Sequence, residues 1–318
     1  MKKWLIALLM LIAVFSGLRY YLIIKPVDYP INRDAGWNPG SVLHILPSAN
    51  HERFLIKVSF LQPVTEAPLL QVGQASTVLG VRTDTEGRFW MFDAPGLSPD
   101  TEYTLALKTA SGKSVCDPWP LKTFPTPDSD PVCVRLLVYT CLGGHDVHRE
   151  WMKTGPLPLS VRQRLLNKAL SFNPDAVIST GDQIYYDLTF DSPAKVMGGS
   201  PRSKYHIGEF NRSKPVLGTE NEPVLKRAAD PQIACLYGTV LRSYPTFFLL
   251  DDHDYFENDT AMEKDGFIIV DVYREKMEVK FYAWRPPDPE EAIEDLRPHY
   301  TVRYPVPWNP RVPPGKKG

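Results

Sequence analysis

The chain has 318 residues, enough for two domains of ordinary size with filled cores. Its 43% hydrophobic and 23% charged residues are those of a folded globular protein and exclude a disordered chain. A formal net charge of −1 gives no bulk electrostatic case for a nucleic-acid partner, and 31 prolines favour long loops and β structure over a helical bundle.

Residues 1–24 read as a signal peptide or membrane anchor. Lys2 and Lys3 precede an apolar run over 4–18, and after Arg19 the apolar character resumes in Tyr20-Tyr21-Leu22-Ile23-Ile24. Taken together, 4–24 reach the ~20 residues that span a bilayer, with Arg19 snorkelling to the interface. Val14-Phe15-Ser16 is a poor cleavage site, so an uncleaved anchor and a cleaved signal both stay open. With the positive residues first, the body lies outside the cytoplasm, in a periplasmic or other extracytoplasmic setting. The four cysteines then meet oxidising conditions, and a Cys116–Cys133 disulfide across the domain junction is one of three connectivities.

Residues 25–40, with Pro26, Pro30 and Pro39, read as a tether. From 41 to 126 the pattern is β: Phe54, Ile56, Val58 and Phe60 alternate with Leu55, Lys57, Ser59 and Leu61. Residues 88–92 form a short aromatic strand. A turn at Gly96 leads into a strand with Tyr103, Leu105 and Leu107 on one side. Leu97-Ser98-Pro99-Asp100-Thr101-Glu102-Tyr103 resembles the tyrosine corner of fibronectin type III domains, in which a Tyr hydroxyl bonds back to upstream backbone. The resemblance implies an all-β sandwich over 41–126. Residues 125–131, with three prolines among turn formers, read as a linker.

From 132 the rhythm changes to strand and helix, an α/β pattern. Residues 135–140 are a short apolar strand. Ser160, with Gln163 at capping-box spacing, opens a helix whose apolar face holds Val161, Leu165 and Ala169; Asn173-Pro174 stops it. Residues 175–180 are the next strand, 191–221 a polar loop, 223–244 partly helical around Pro231, and 245–250 a third buried strand.

Each apolar strand runs directly into potential metal ligands. The first gives Cys141, then His145, Asp146 and His148; the second gives Gly181-Asp182 and Tyr185; the third gives Asp251-Asp252-His253-Asp254. Gly-Asp after a strand is a common turn, and Cys141 alone would be a core cysteine. Three strands delivering such residues to one carboxyl edge is a different matter, because ligands bind at that edge of α/β sheets. Clustered carboxylates resist ionising together unless a cation neutralises them. Two metal ions bridged by one carboxylate meet that need, bind a phosphate oxygen, and bring a bound water's pKa to roughly 7.

Val138-Tyr139-Thr140-Cys141 with its Gly-rich loop, the stretch 173–187 and the stretch 245–259 resemble successive motifs of PhoD-like alkaline phosphatases, within the calcineurin-like metallophosphoesterases. The resemblance covers 41 to about 260 and implies an αββα sandwich over 132–318 with two metal ions, Fe(III) and Ca(II), where other superfamily members use Zn(II) or Mn(II). By resemblance Cys141, Asp182 and Tyr185 hold Fe(III), Asp182 bridges to the second ion, and Asp252 stands where most members have a metal-binding Asn. His253 is then the catalytic His beside the scissile phosphate, acting on the leaving alkoxide. Asn258 is an additional contact. Asp146 and His148 resemble the superfamily's D-x-H ligand pair and rank below Cys141. The implied activity is hydrolysis of phosphate mono- or diesters by a metal-activated hydroxide in an exported enzyme.

The family pattern also needs a Gly-Asp-x-His-like element and a later His-bearing loop. After His253 the chain has one histidine, His299, without a Gly-Asp beside it. Residues 281–289 and 300–304 look like the start of another β region, and 305–318 dissolve into a Pro-rich tail. The expectation is a domain lacking its C-terminal part: a truncated or shifted product, a domain completed by a partner chain, or a shortened variant. Two competing readings stand beside the phosphoesterase: a catalytically inactive exported binding protein of the same lineage, and a different two-metal hydrolase using the same site.

Overall fold

The computed structural model describes residues 2–25, 29–74, 76–143, 157–185, 205–209, 211, 213–249, 266–273, 276–283, 293–298 and 300–305. Of the candidate site residues named above, His145, Asp146, His148, Asp251, Asp252, His253, Asp254, Asn258 and His299 lie outside that set.

Helix α1 (Lys2–Arg19) runs into a π-helical turn at Tyr20–Ile24. Over Trp4–Ile24 its mean hydropathy is 2.0, long and apolar enough to cross a membrane. Its large apolar side chains, Trp4 to Tyr21, face outward.

Two antiparallel four-stranded sheets follow. One orders β1 (Val42–Ala49), β2 (Arg53–Phe60), β6 (Phe89–Pro95) and β5 (Val81–Arg82); the other orders β4 (Ser76–Leu79), β3 (Leu69–Val72), β7 (Glu102–Lys108) and β8 (Trp119–Lys122). The period-two reading of β2 holds, with Phe54, Ile56, Val58 and Phe60 all inward. They share one core with Leu70, Phe92, Leu105, Leu107 and Trp119 from both sheets. Burying each such side chain stabilises by about 1.5–3 kcal/mol. The corner at Tyr103 also forms: its hydroxyl accepts from the Ser98 N–H at 2.8 Å, while its ring meets Phe54 edge-on.

The remaining sheet has six strands, in the order β11 (Thr246–Phe248), β10 (Ala176–Ser179), β9 (Cys133–Tyr139), β12 (Gly266–Tyr273), β13 (Lys276–Ala283) and β14 (Tyr300–Pro305). Strands β9, β10 and β11 are parallel, so their carboxyl ends share an edge; β12 to β14 are antiparallel. Strand β12 has no counterpart among the strands read from sequence. Its Asp271 is fully buried, pinned by Arg135 of β9 and by Lys280 of β13 at 2.6 Å. Burial would raise that carboxyl, but the hydrogen bonds from Lys280 and Arg135 outweigh it and hold it below the usual range.

Helix α2 (Leu159–Leu170) packs on this sheet. The expected capping box does not form. The helix starts at Leu159 without a side-chain cap, and Gln163 instead donates its amide to the carbonyls of Pro30 and Cys235. Helix α3 (Asn221–Ala229) continues through a π-helical turn (Asp230–Ala234) that accommodates Pro231, then ends as α4 (Cys235–Tyr237).

Two further expectations are corrected. The segment read as a tether is bound to the α/β body: Asn32 is buried, exchanges amide hydrogen bonds with Asn167, and pairs through its backbone with Cys235. Gly238, at φ 48°, permits this, since a Cβ there would stand 1.9 Å from the Asn32 carbonyl oxygen. No disulfide joins Cys116 to Cys133, because Cys116 is packed in the sandwich core while Cys133 opens β9. Burial pushes the Cys116 thiol up to about 12.

A charged cluster ties the sandwich to helix α3. Lys226 of α3, almost wholly buried, reaches Asp84 at 2.7 Å, Glu222 at 2.9 Å and Glu86 at 3.0 Å. Burial alone would raise the Glu222 carboxyl; the N–H groups of Gly218 and Thr85, with Lys226, hold it at about 2. Replacing Lys226 with Met strands these carboxylates, and urea unfolding should show a loss of about 3–5 kcal/mol. An unchanged midpoint would show that the cluster carries no stability.

His44 in β1 is buried against Ser59 and neutral; burial first, then the charges of Lys57 and Arg88, lower it to about 3. Between the ordinary value of 6.5 and 3 the unfolded chain binds the proton and the native one does not. Its stabilisation is therefore complete above 6.5 and is lost as pH falls towards 3, by about 1.4 kcal/mol per pH unit. Unfolding midpoints at pH 7, 6 and 5 should fall in the native chain and fall less in a His44→Val variant.

Candidate active site

The carboxyl ends of β9 and β10 are built as a matched pair. Immediately beyond them, Cys141 and Asp182 each sit at φ 55°, a left-handed conformation unusual for residues with a side chain. Backbone bonds lock the two tips together: Thr180 N–H to Tyr139 O at 2.8 Å, Cys141 N–H to Gly181 O at 3.2 Å, and Gly143 N–H to Asp182 O at 3.1 Å. Gly143 is required at this approach, because a Cβ there would lie 2.5 Å from the Gln183 carbonyl oxygen and 2.7 Å from that of Asp182.

The locked tips aim their side chains at one point. The Cys141 thiol donates to Asp182 Oδ2 at 3.2 Å, and the Tyr185 hydroxyl donates to the same oxygen at 3.2 Å. Asp182 and Tyr185 are buried, whereas Cys141 is half-buried. Sulfur, carboxylate and phenol thus converge from two strand ends. Among the described residues, no group of three or more His, Cys, Asp or Glu side chains is placed to hold a metal ion by itself; here a tyrosine completes the set.

A second layer holds these groups, and sequence reasoning missed it. Gln183 accepts from Ser179 Oγ at 2.6 Å and donates to the Leu249 carbonyl at 3.2 Å, joining β10 to the end of β11. Gln232, in the π-helical turn, accepts from the Tyr185 N–H at 2.8 Å and donates to Ala228 O. Arg162 of α2 is buried and donates to the Leu142 carbonyl at 2.8 Å, one residue beyond Cys141. The available signal was polarity out of place: Gln232 lies between Pro231 and Ile233-Ala234-Cys235, and Arg162 beside Val161 on the apolar face of α2.

No protein-family model matches the chain, and no curated protein matches it in sequence. Solved structures similar to it include PhoD and a purple acid phosphatase. A structure of PhoD is 15% identical with a TM-score of 0.42, over 74% of this chain and 41% of that one. The purple acid phosphatase PPD1 isolated from yellow lupin (Lupinus luteus) seeds is 10% identical with a TM-score of 0.44, over 84% of this chain and 74% of that one. The chain therefore spans about two fifths of the PhoD chain it matches.

The Gln232 contact has a measurable consequence. Exchanging Gln232 for Leu removes the acceptor of the Tyr185 N–H inside the protein, a change worth about 1–3 kcal/mol. Amide hydrogen exchange should accelerate at 182–185 and stay unaltered in the sandwich. Equal acceleration in both would mean that Gln232 supports the fold at large and not the strand tip.

Proposed function

We propose that this chain is an exported, metal-dependent phosphoesterase that hydrolyses phosphate mono- or diesters. The observation that carries this reading is the convergence of Cys141, Asp182 and Tyr185 on one oxygen position at the shared carboxyl edge of β9 and β10. Their donor set suits a metal: a thiol, a carboxylate and a phenol, two of which now satisfy the third with protons that a cation would replace. Cys141, Asp182 and Tyr185 would hold it, and a thiolate with a phenolate favours Fe(III). Bound there, such an ion supplies Lewis acidity towards a phosphate oxygen and lowers the pKa of a bound water.

The chain's own residues do the rest. Asp182, fixed by the locked tips, faces both Cys141 and Tyr185, and on the motif reading it would also serve a second ion, Ca(II) in this reading. On the motif reading Asp252, which follows β11 in sequence, adds a ligand, with Asp146, His148 and Asn258 as further contacts. His253 gives its proton to the leaving oxygen. The partial exposure of Cys141 would leave an approach for a phosphate ester. We read residues 41–126 as a fibronectin type III-like sandwich, supported by the sheet orders and the Ser98–Tyr103 hydrogen bond, and residues 132–318 as the phosphoesterase domain. The apolar helix over Trp4–Ile24 supports export through a signal or anchor.

The test joins two measurements on the purified full chain: metal content by mass spectrometry, and turnover of an aryl phosphate and a bis-aryl phosphate. Stoichiometric metal with turnover is expected. Asp182→Asn should lose both, with activity falling by more than the ~10–100-fold typical of outer-shell changes at metal sites. Protein without metal or turnover would leave the exported binding protein as the surviving reading.

A further inference from the structure

The end of the apolar helix abuts the element that supports the candidate site. Leu22, Ile23 and Ile24 are half-buried although the helix before them is exposed. The Ile23 carbonyl, at the close of the π-helical turn, accepts a hydrogen bond from His206 Nε2 at 3.0 Å. The next residue, Ile207, is buried with Val224 and Ala228 of α3, and Ile184 packs on that same cluster. Arg227 of α3 fastens this segment by donating to the Ile207 carbonyl at 2.7 Å. Ile184 lies between Gln183 and Tyr185. One packed cluster therefore separates the exit of the apolar span from the strand-end site.

The surroundings of that exit carry interfacial chemistry. Tyr20, Tyr21 and Tyr205 are all more than half exposed, and Tyr205 meets His206 edge-on at 5.1 Å between ring centroids. Lys25 lies over the Tyr21 ring. Aromatic rings and a cation at the end of a 21-residue apolar helix are the groups that settle at headgroup depth. Tyr205 brings the same chemistry from the folded body to the same place. The connection is short as well, since Tyr29 and Ile31 already pack against the core of the α/β body.

We infer that the strand-end site works at the membrane surface, on a phosphate ester carried in a lipid headgroup. This rests on the phosphoesterase reading above. The reaction is a hydrolysis: the oxygen of water forms a new bond to phosphorus, one phosphorus–oxygen ester bond breaks, and a proton from that water ends on the departing alcohol. Holding the body against the headgroup layer raises the effective concentration of lipid-borne phosphate at the site.

The experiment uses the full chain reconstituted in phosphatidylcholine vesicles doped with phosphatidic acid or phosphatidylglycerol. Glycerol phosphate and an aryl phosphate serve as soluble counterparts. The lipid-borne ester should be hydrolysed about tenfold faster than the soluble ones at equal phosphate. A flexible Gly/Ser insertion between Asp28 and Tyr29, combined with His206→Ala to release the Ile23 carbonyl, should abolish that preference while soluble turnover stays unchanged, which also reports that the variant folds. Independently of activity, a photo-crosslinking benzoylphenylalanine in place of Tyr205 should form lipid adducts, whereas one in place of Leu55 in the sandwich should not. Soluble turnover without lipid preference, or a preference indifferent to the insertion, overturns this inference and leaves the phosphoesterase reading standing. Failure to crosslink at Tyr205 overturns it too. Turnover of neither substrate class removes the underlying reading and this inference with it.

Discussion

Two adjacent strand ends hold non-glycine residues in the left-handed region, at Cys141 and Asp182, and the backbone bonds between them keep both there. Each such conformation costs about 1–2 kcal/mol, so the chain does not adopt the pair by default. Three cross-tip hydrogen bonds, each worth about 1 kcal/mol net, are of a size to offset that cost. They form only because β9 and β10 are parallel and in register, with Tyr139 opposite Ser179. The sheet's register thus fixes where a thiol and a carboxylate meet. A slip of one residue would move both off the edge and turn each side chain to the other face.

What lies behind the tips is organised to resist such a slip. Gln183 and Gln232 are buried amides whose bonds run between elements: β10 to the end of β11, and the Tyr185 backbone to the π-helical turn. A π-turn widens the helix by one residue and often marks functional sites. Here it absorbs Pro231 and places the neighbouring Gln232 side chain under Tyr185. Unsatisfied, these amides would cost more than apolar residues of their size; satisfied, they admit few alternative arrangements.

The elements that positioned the trio were legible because their signals are local. Runs of β-branched and apolar residues at 135–140, 175–180 and 245–250 announce strands, and the residues following each run necessarily lie at its carboxyl end; the third, β11, is an edge strand of the described sheet, with Phe247 and the following Leu249 exposed, and not the buried strand expected. Tyr103 likewise carries its corner within seven residues of sequence. What escaped depends on partners distant in the chain. Strand β12 is defined by Asp271 meeting Arg135 and Lys280 from two other strands. Gln163 looked like a cap because the spacing was right, yet the carbonyls of Pro30 and the buried Cys235 took its amide instead. The tether read from Pro26, Pro30 and Pro39 is irregular in backbone, but Asn32 finds a partner in Asn167 across 135 residues. Composition shows that a segment lacks its own secondary structure; it does not show what the segment binds.

The same long-range bonds decide how the sandwich, the sheet and the apolar helix are oriented. An apolar interface of equal area would hold the sandwich in place but tolerate sliding. Lys226 among Asp84, Glu86 and Glu222, with Arg88 on Asp230 beside it, satisfies its charges in one arrangement only. Removing any partner leaves a buried charge, so displacement is penalised in every direction. The Asn32 segment adds a second attachment, on the side of the body that the chain reaches as it leaves the helix. With the body gripped at 29–34 and again where His206 meets Ile23, the helix end cannot serve as a free swivel. The direction in which the strand ends face is then a property of the fold, set by buried polar contacts rather than by the length of a linker.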